Sequence, residues 1–447
     1  MNKDIRFFSQ YIPLLIISFF FVVLLPVIPI FSYDNYNHQR ICQIFLVLLL
    51  SSSVVYKFCF TNSTKPLALD SKFVPFFAIF AAVGIISASI SKEPVYSLFY
   101  CLHITLLIFF LLPNLSIKHA TLPLIYALVI AHSILVLYCF LKILFTVYEQ
   151  QPLNATVIYS GFNNIRFFNQ VQVFVLPFLV FLLSYQKIQR VVFFILILNL
   201  LLMFIGGARG ALLSLIFISI VSFYFTPQLR KNILKGFLCL LLSYLAYITL
   251  EYIVSPEYTA SMRTSSSGRV RMWLEILADF SFQNIFFGHG PGIYDITFNP
   301  AKHPHNSFFE ILNEWGATAL ITFIGVVYFT YKATTHYIKS HRNDKVTITL
   351  AYSLSCAAMY SLFSGVHVMP IPQTLLIIFW GALLGRVYRP TVTIIKINNV
   401  VKLVLFLIFM ITWAFYLYSA LTLYNAIDPA QGYTPAPRFW SIGQREL

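Results

Sequence analysis

Charge is scarce in this sequence. Only 10% of its 447 residues are Asp, Glu, Lys or Arg, whereas a soluble domain carries about 25%. So little polar surface cannot cover a water-soluble particle of this size. Cysteine offers no framework either: Cys42, Cys59, Cys101, Cys139, Cys239 and Cys356 all fall inside or at the edge of apolar runs. That excludes a disulfide scaffold and a zinc site. There is no P-loop, no GxSxG, no HExxH and no Asp-x-Asp pair. With the acids scattered, the expected chemistry uses neither a metal nor a cofactor. Internal repeats and low-complexity tracts are also missing.

What fills the chain is hydrophobic residues, 59% of the total. They gather in runs long enough to span a bilayer as helices. Spans are expected near 11–31, 41–60, 73–91, 95–113, 121–141, 170–184, 191–206, 209–226, 235–253, 316–334, 347–365, 371–388 and 403–424. The predicted fold is an all-α polytopic membrane bundle of 12–13 transmembrane helices. The first run, from Tyr11 to about Phe31, spans and lacks a small-residue cleavage site, so it is not a cleaved signal peptide.

The net charge of +15 would suit nucleic acid, but its distribution argues otherwise. With the N-terminus in the cytoplasm, the starting side of these spans holds 19 Lys+Arg and 3 acids. The opposite side holds 10 and 12, and Lys142 lies at a span end. This is the positive-inside asymmetry. The basic charge orients the chain among membrane lipids, and no nucleic acid is needed to explain it.

Two outer segments are long, about 149–169 and 254–315. The chain therefore divides into a first bundle part (1–253), an outer loop region with short helices (254–315), a second bundle part (316–424) and a short outer tail (425–447). Long ordered loops in compact proteins are usually functional. Within 254–315 a helix should open at Gly268, with Val270, Trp273, Leu274 and Leu277 on one apolar side. Gly288, Gly290, Pro291 and Gly292 then make tight turns.

The stretch HPHNSFFEILNEWG, 303–316, concentrates titratable groups at the edge of a span. Ser307 and Glu310 have capping-box spacing, which puts Ser307 at the N-cap with Glu310 returning a hydrogen bond. Phe308, Ile311, Leu312 and Trp315 make one apolar face. Gly316 ends this helix or turns it into the next span. His305 thus sits ahead of a helix N-terminus, where the dipole favours neutral imidazole. It is either a local hydrogen-bonding histidine or a base at neutral pH.

Arginines accompany it. Arg209 lies between two apolar runs, where a charge either faces a bundle interior or snorkels to headgroups. Gly206, Gly207 and Gly210 around it allow tight turns. Arg166 precedes the sixth span, which Asn169 and Gln170 enter, and Arg269 opens the loop helix. Arg forks suit phosphate groups, and a lipid-linked diphosphate is the anion expected at the outer leaflet.

In chain order these elements resemble the O-antigen ligase and polymerase superfamily, which includes bacterial protein O-oligosaccharyltransferases. The resemblance rests on Arg166 before a span, Arg209-Gly210 at a span start and Ser267-Gly268-Arg269 with Trp273 four residues on. Gly288-His289-Gly290-Pro291-Gly292 follows, then His305-Asn306, nine residues and Gly316. It implies a bacterial inner-membrane, GT-C-like inverting glycosyltransferase with its site facing the periplasm. The donor would be a glycan on undecaprenyl diphosphate, and the acceptor a hydroxyl on lipid A-core, glycan or protein. By matched position His305 would be catalytic and Arg166, Arg209 and Arg269 would bind diphosphate, while Asn306 and Gln170 would position substrate. The short tail favours O-antigen ligation to lipid A-core, with polymerase and pilin oligosaccharyltransferase as alternatives. A polysaccharide transporter would show paired repeats or broken-helix charges, which the sequence lacks.

The topology yields a first expectation. In a cysteine-free background, a cysteine at Ser265 should label with impermeant maleimide in intact spheroplasts, and one at Thr335 should not. Equal labelling of the two would overturn the orientation.

Overall fold

The computed structural model describes residues 3–25, 34–60, 73–108, 120–159, 162, 164–254, 268–294, 303–388, 398–425 and 438–441. Among them the secondary structure is helical: α1 (Lys3–Leu24), α2 (Asn35–Phe60), α3 (Phe73–Ser89), α4 (Pro94–Leu106) and α5 (Thr121–Tyr148) lead. Then come the one-turn α6 (Ala155–Ile158), α7 (Ile165–Leu182), α8 (Gln189–Ile205), α9 (Arg209–Phe225) and α10 (Arg230–Val254). Two short helices follow, α11 (Arg269–Ala278) and α12 (Phe282–Phe287). The chain continues as α13 (Ser307–Ser340), α14 (Lys345–Tyr360), α15 (Pro370–Val387) and α16 (Asn399–Asn425).

Seven of these helices are long and apolar enough to cross a membrane, and five more are apolar but shorter. The chain is a multi-pass all-α membrane protein. Each predicted span has its counterpart, with shifted bounds. α2 starts at Asn35, ahead of the expected 41, which brings Asn37, His38, Gln39 and Arg40 inside a helix. The expected ends near 31 and 113 lie outside the described residues.

α7 is the hub. It is buried along almost its whole length and packs on α14, α8, α15 and α5. α10 and α16 are mostly exposed and apolar, as lipid-facing helices are. Apolar packing alone would let such helices slide, since lipid tails are as apolar as leucine. Buried polar bonds set their register. His132 Nε2 meets Asn199 Oδ1 at 2.8 Å, tying α5 to α8, and Gln172 on α7 donates to the Asn199 carbonyl at 2.8 Å.

The largest such network joins distant parts of the chain. Arg40 is wholly buried on α2. It donates to Gln43 Oε1 (2.6 Å), Gln373 Oε1 (3.0 Å) and the carbonyls of Val368 (2.8 Å) and Phe439 (2.9 Å). Residues 438–441 thread back among α2, α4 and α16, with Phe439 and Trp440 in the apolar core. Arg438 ion-pairs with Glu310 and Glu314 on α13, and its guanidinium lies 4.8 Å from the Tyr100 ring centroid.

Both carboxylates and the guanidinium are almost fully buried, so none has water as an alternative partner. Removing one partner of a buried pair typically costs about 3–5 kcal/mol, because a buried charge is left behind. Arg438→Gln should therefore lower the thermal unfolding midpoint in detergent markedly. Adding Glu310→Gln and Glu314→Gln should restore most of the loss. A triple variant as unstable as the single one would mean that packing, not charge pairing, holds the tail.

Candidate functional site

The end of the bundle carrying α11 and α12 gathers the polar residues. Arg166 is the second residue of α7, whose N-cap Asn164 accepts from the Arg166 backbone N–H at 2.9 Å. Arg209 is the first residue of α9, reached through Gly207 at φ 58°. Arg269 is the first residue of α11, behind Gly268 at φ 76°. His305 stands just before Asn306, the N-cap of α13. Four helix N-termini thus carry the four residues singled out by the sequence.

Arg269 lies within the field of the other two guanidiniums. Burial, then the charge of Arg166 and, more weakly, of Arg209, pushes the Arg269 pKa down. Among the described residues none of the three pairs with a carboxylate, and Arg269 Nε is buried without a hydrogen-bond partner. Cations at helix N-termini meet the positive end of the dipole, so this arrangement is unfavourable on its own. It becomes favourable around an anion.

His305 shares that field. Its backbone is left-handed, φ 55°, an uncommon conformation for a residue with a Cβ. Three contacts hold the segment. Trp273, one turn after Arg269, donates to the Pro304 carbonyl at 3.0 Å and stacks on Phe309. The His305 N–H donates to His303 Nδ1 at 3.3 Å. A Cβ on Gly365 would come within 2.7 Å of the His303 ring, so that ring fits only against glycine. Burial lowers the His305 pKa to about 2, helped by His303, Arg166 and Arg269. Burial likewise lowers His303 to about 4.

The supporting residues Asn306 and Gln170 both reach the α14–α15 turn. Asn306 Oδ1 accepts from the N–H of Phe308 (2.9 Å) and Phe309 (3.3 Å), while its Nδ2 donates to Leu362 O at 3.1 Å. Gln170 Nε2 donates to Ser364 Oγ at 2.8 Å. That turn also supplies Tyr360 and Phe363, which crowd Gly210.

Several sequence expectations need correction. Asn306, not Ser307, is the N-cap of α13, because an Asx side chain reaches two backbone N–H groups at once. Ser307 Oγ instead bonds His367 Nδ1 at 2.6 Å. Glu310 does not return a capping bond, since Arg438 and His367 claim its carboxylate. The first turns of α13 are buried on their polar side too, with Glu310, Asn313 and Glu314 inside, and it is Phe308 that is exposed. The 288–294 turns cover that side: His289 N–H donates to Asn313 O and Gly290 N–H to Glu314 O, each at 2.9 Å. Gly316, at φ 79°, turns α13 into its span. On α11 the buried residues are Met272 and Ile276, one turn apart. Val270, Leu274 and Leu277 are exposed.

Sequence reasoning missed Arg438, Glu314, His367 and the 360–369 turn. Arg40 and Arg438 counted only as loop charges, and a span beginning at Asn35 would have exposed Arg40 as an intramembrane charge.

Fold and site together define a class: a multi-pass helical membrane protein with, among the described residues, an arginine cluster lacking carboxylate partners beside a partly buried histidine at one end. Residues 192–324 match the family model of the O-antigen ligase, a stretch holding Arg209, Arg269 and His305. The match covers that stretch of the chain and supports the resemblance to the O-antigen ligase and polymerase superfamily. No curated protein matches it.

A pH dependence follows from the two histidines. A group whose folded pKa lies below its unfolded value stabilises the fold above the unfolded pKa, near 6.5, and loses that contribution as pH falls. Stability should therefore drop between pH 6.5 and about 4, with a slope of up to about 1.4 kcal/mol per pH unit for each histidine. Unfolding midpoints at pH 7 and pH 5 should differ less in His303→Gln than in wild type. An unchanged difference would remove His303 from the cause.

Proposed function

We propose that the protein transfers a glycan from an undecaprenyl diphosphate carrier to a hydroxyl acceptor, on the periplasmic face of a bacterial inner membrane. The observation that carries this reading is the convergence of Arg166 and Arg209 on Arg269, without carboxylate partners among the described residues, beside His305. The family match over 192–324 supports it. Residues 254–315 would form the periplasmic region between the two bundle parts, with 425–447 as the tail.

In the proposed step the acceptor oxygen attacks the anomeric carbon as the bond from that carbon to the phosphate oxygen breaks. The electron pair leaves with the diphosphate, whose growing charge the three arginines stabilise. The acceptor proton goes to the His305 imidazole. One direct displacement inverts the anomeric centre, and the arginines supply the positive charge that a metal would otherwise bring. An imidazole that burial and the neighbouring His303, Arg166 and Arg269 hold near pKa 2 is by itself a weak base. A bound diphosphate would offset the neighbouring arginines and favour the protonated ring. The donor would thus arm its own base. Asn306 and Gln170 would hold the turn against which both substrates lie. Lipid A-core is the acceptor we favour, with polymerisation or pilin glycosylation as alternatives that a deletion strain separates by its glycan profile.

His305→Ala should reduce transfer by about 10²–10⁴-fold at unchanged protein level, with a milder effect from His289→Ala. Arg209→Lys and Arg269→Lys should lose about 10²-fold or more, because lysine cannot make the planar two-pronged contact. Transfer from a purified lipid-diphosphate donor is the measurement. Wild-type rates in the His305 and both Lys variants would sink the proposal.

A further inference from the structure

A second feature lies on another flank of α13. A cavity of about 440 Å³ runs between α3, α4, α13, α14 and α15, within the roughly 300–1,000 Å³ of small-molecule sites. None of Arg166, Arg209, Arg269 or His305 lines it. Its walls are apolar, including Phe77, Phe323 and Trp380. On α13 the lining extends from Ser307 to Thr334. From Gly316 onward that is about 27 Å of helix, close to the roughly 30 Å thickness of a bilayer core. The cavity is a slot lying along the span.

The slot opens sideways. α14 lines it with Ala351, Ser355 and Ala358, spaced to share one face, and these small side chains leave a trough. Ser355 and Ala358 are exposed, as are Val327 and Tyr331 across from them on α13. An opening at mid-span between two apolar helices faces lipid.

Its head is polar. Ser307 Oγ and His367 Nδ1 are 2.6 Å apart, and His367 Nε2 lies 3.2 Å from Glu310 Oε2. Glu310 and Glu314 both pair with Arg438, so the charges at this head already have partners within the protein. A diphosphate would find none of the three clustered arginines here, whereas sugar hydroxyls would find donors and acceptors in Ser307 and His367. The arginines and this head, two residues from His305, therefore sort anionic from neutral ligands.

We infer that the slot seats the apolar chain of the acceptor, a glycolipid whose uncharged sugar lies against Ser307 and His367. The inference rests on the transfer reading, in which His305 then receives the hydroxyl of that sugar. A protein acceptor would leave the slot unused.

The test uses the full-length protein in phosphatidylcholine nanodiscs and an alkyl maltoside with a brominated chain. Trp315 and Trp380 line the slot, so a chain inside it quenches their fluorescence. Quenching should saturate, Ala358→Phe and Ser355→Phe should weaken the apparent affinity at least tenfold, and polyprenyl diphosphate should not displace the probe. Both positions are exposed, so a phenylalanine there has room, and an unchanged unfolding midpoint checks that each variant folds. Quenching indifferent to both variants, or abolished by polyprenyl diphosphate, overturns the inference; the latter would make the slot the donor's. In transfer assays with a glycolipid acceptor, Ala358→Phe should raise the acceptor KM at least tenfold and leave the donor KM unchanged. Efficient transfer to a peptide, unaffected by Ala358→Phe, would also overturn it. If wild type transfers nothing, the transfer reading fails while the quenching still reads the slot.

Discussion

The pairing of Arg438 with Glu310 and Glu314 is the constraint on which the rest of the site end depends. All three charges are buried, and charges taken out of water are tolerated only when paired and hydrogen-bonded. Each partner therefore fixes the others. The Gly292 N–H donates to Glu314 Oε2 at 2.8 Å, so the glycine turns are held as well. Arg40 donates to the Arg438 and Phe439 carbonyls, which binds α2 to the tail. A helix that would otherwise find its depth only by hydrophobicity is locked in register by electrostatics.

That lock has a functional consequence. His305 lies one turn before Glu310, in a segment with left-handed backbone and a ring seated on Gly365 through His303. Such strain persists only where the surroundings over-determine it. Trp273 transmits the same order to α11, whose first residue is Arg269. The arginine cluster and the histidine are thus held by two separate devices, an aromatic stack and a buried ion pair. The charge repulsion that Arg269 feels from Arg166 and Arg209 is sustained by this framework.

Much of this was legible from residue order. Each of the thirteen apolar runs falls on a helix, seven of these helices being long and apolar enough to span, because helix formation and hydropathy are decided locally. Arg209 was conspicuous because no loop was available to hold it. Gly268 and Gly316 were recognisable as helix boundaries, where glycine alone enters the left-handed region without cost. Ser307 shows where local rules fail. Its spacing to Glu310 fits a capping box, yet a better cap stood one residue earlier and a buried arginine 128 positions away in sequence took the carboxylate.

By itself, then, the sequence determined the helical class, where the apolar helices fall, and the residues worth suspecting, since each depends on neighbours within a few turns. Tertiary structure alone decided which suspects meet. It placed Arg166 and Arg209 where Arg269 feels their charge, drew Arg438 from the tail to α13, and opened the slot between α13 and α14. Contacts between residues far apart in the chain follow from packing and charge neutralisation in a medium without water, and no local pattern encodes where those partners will lie.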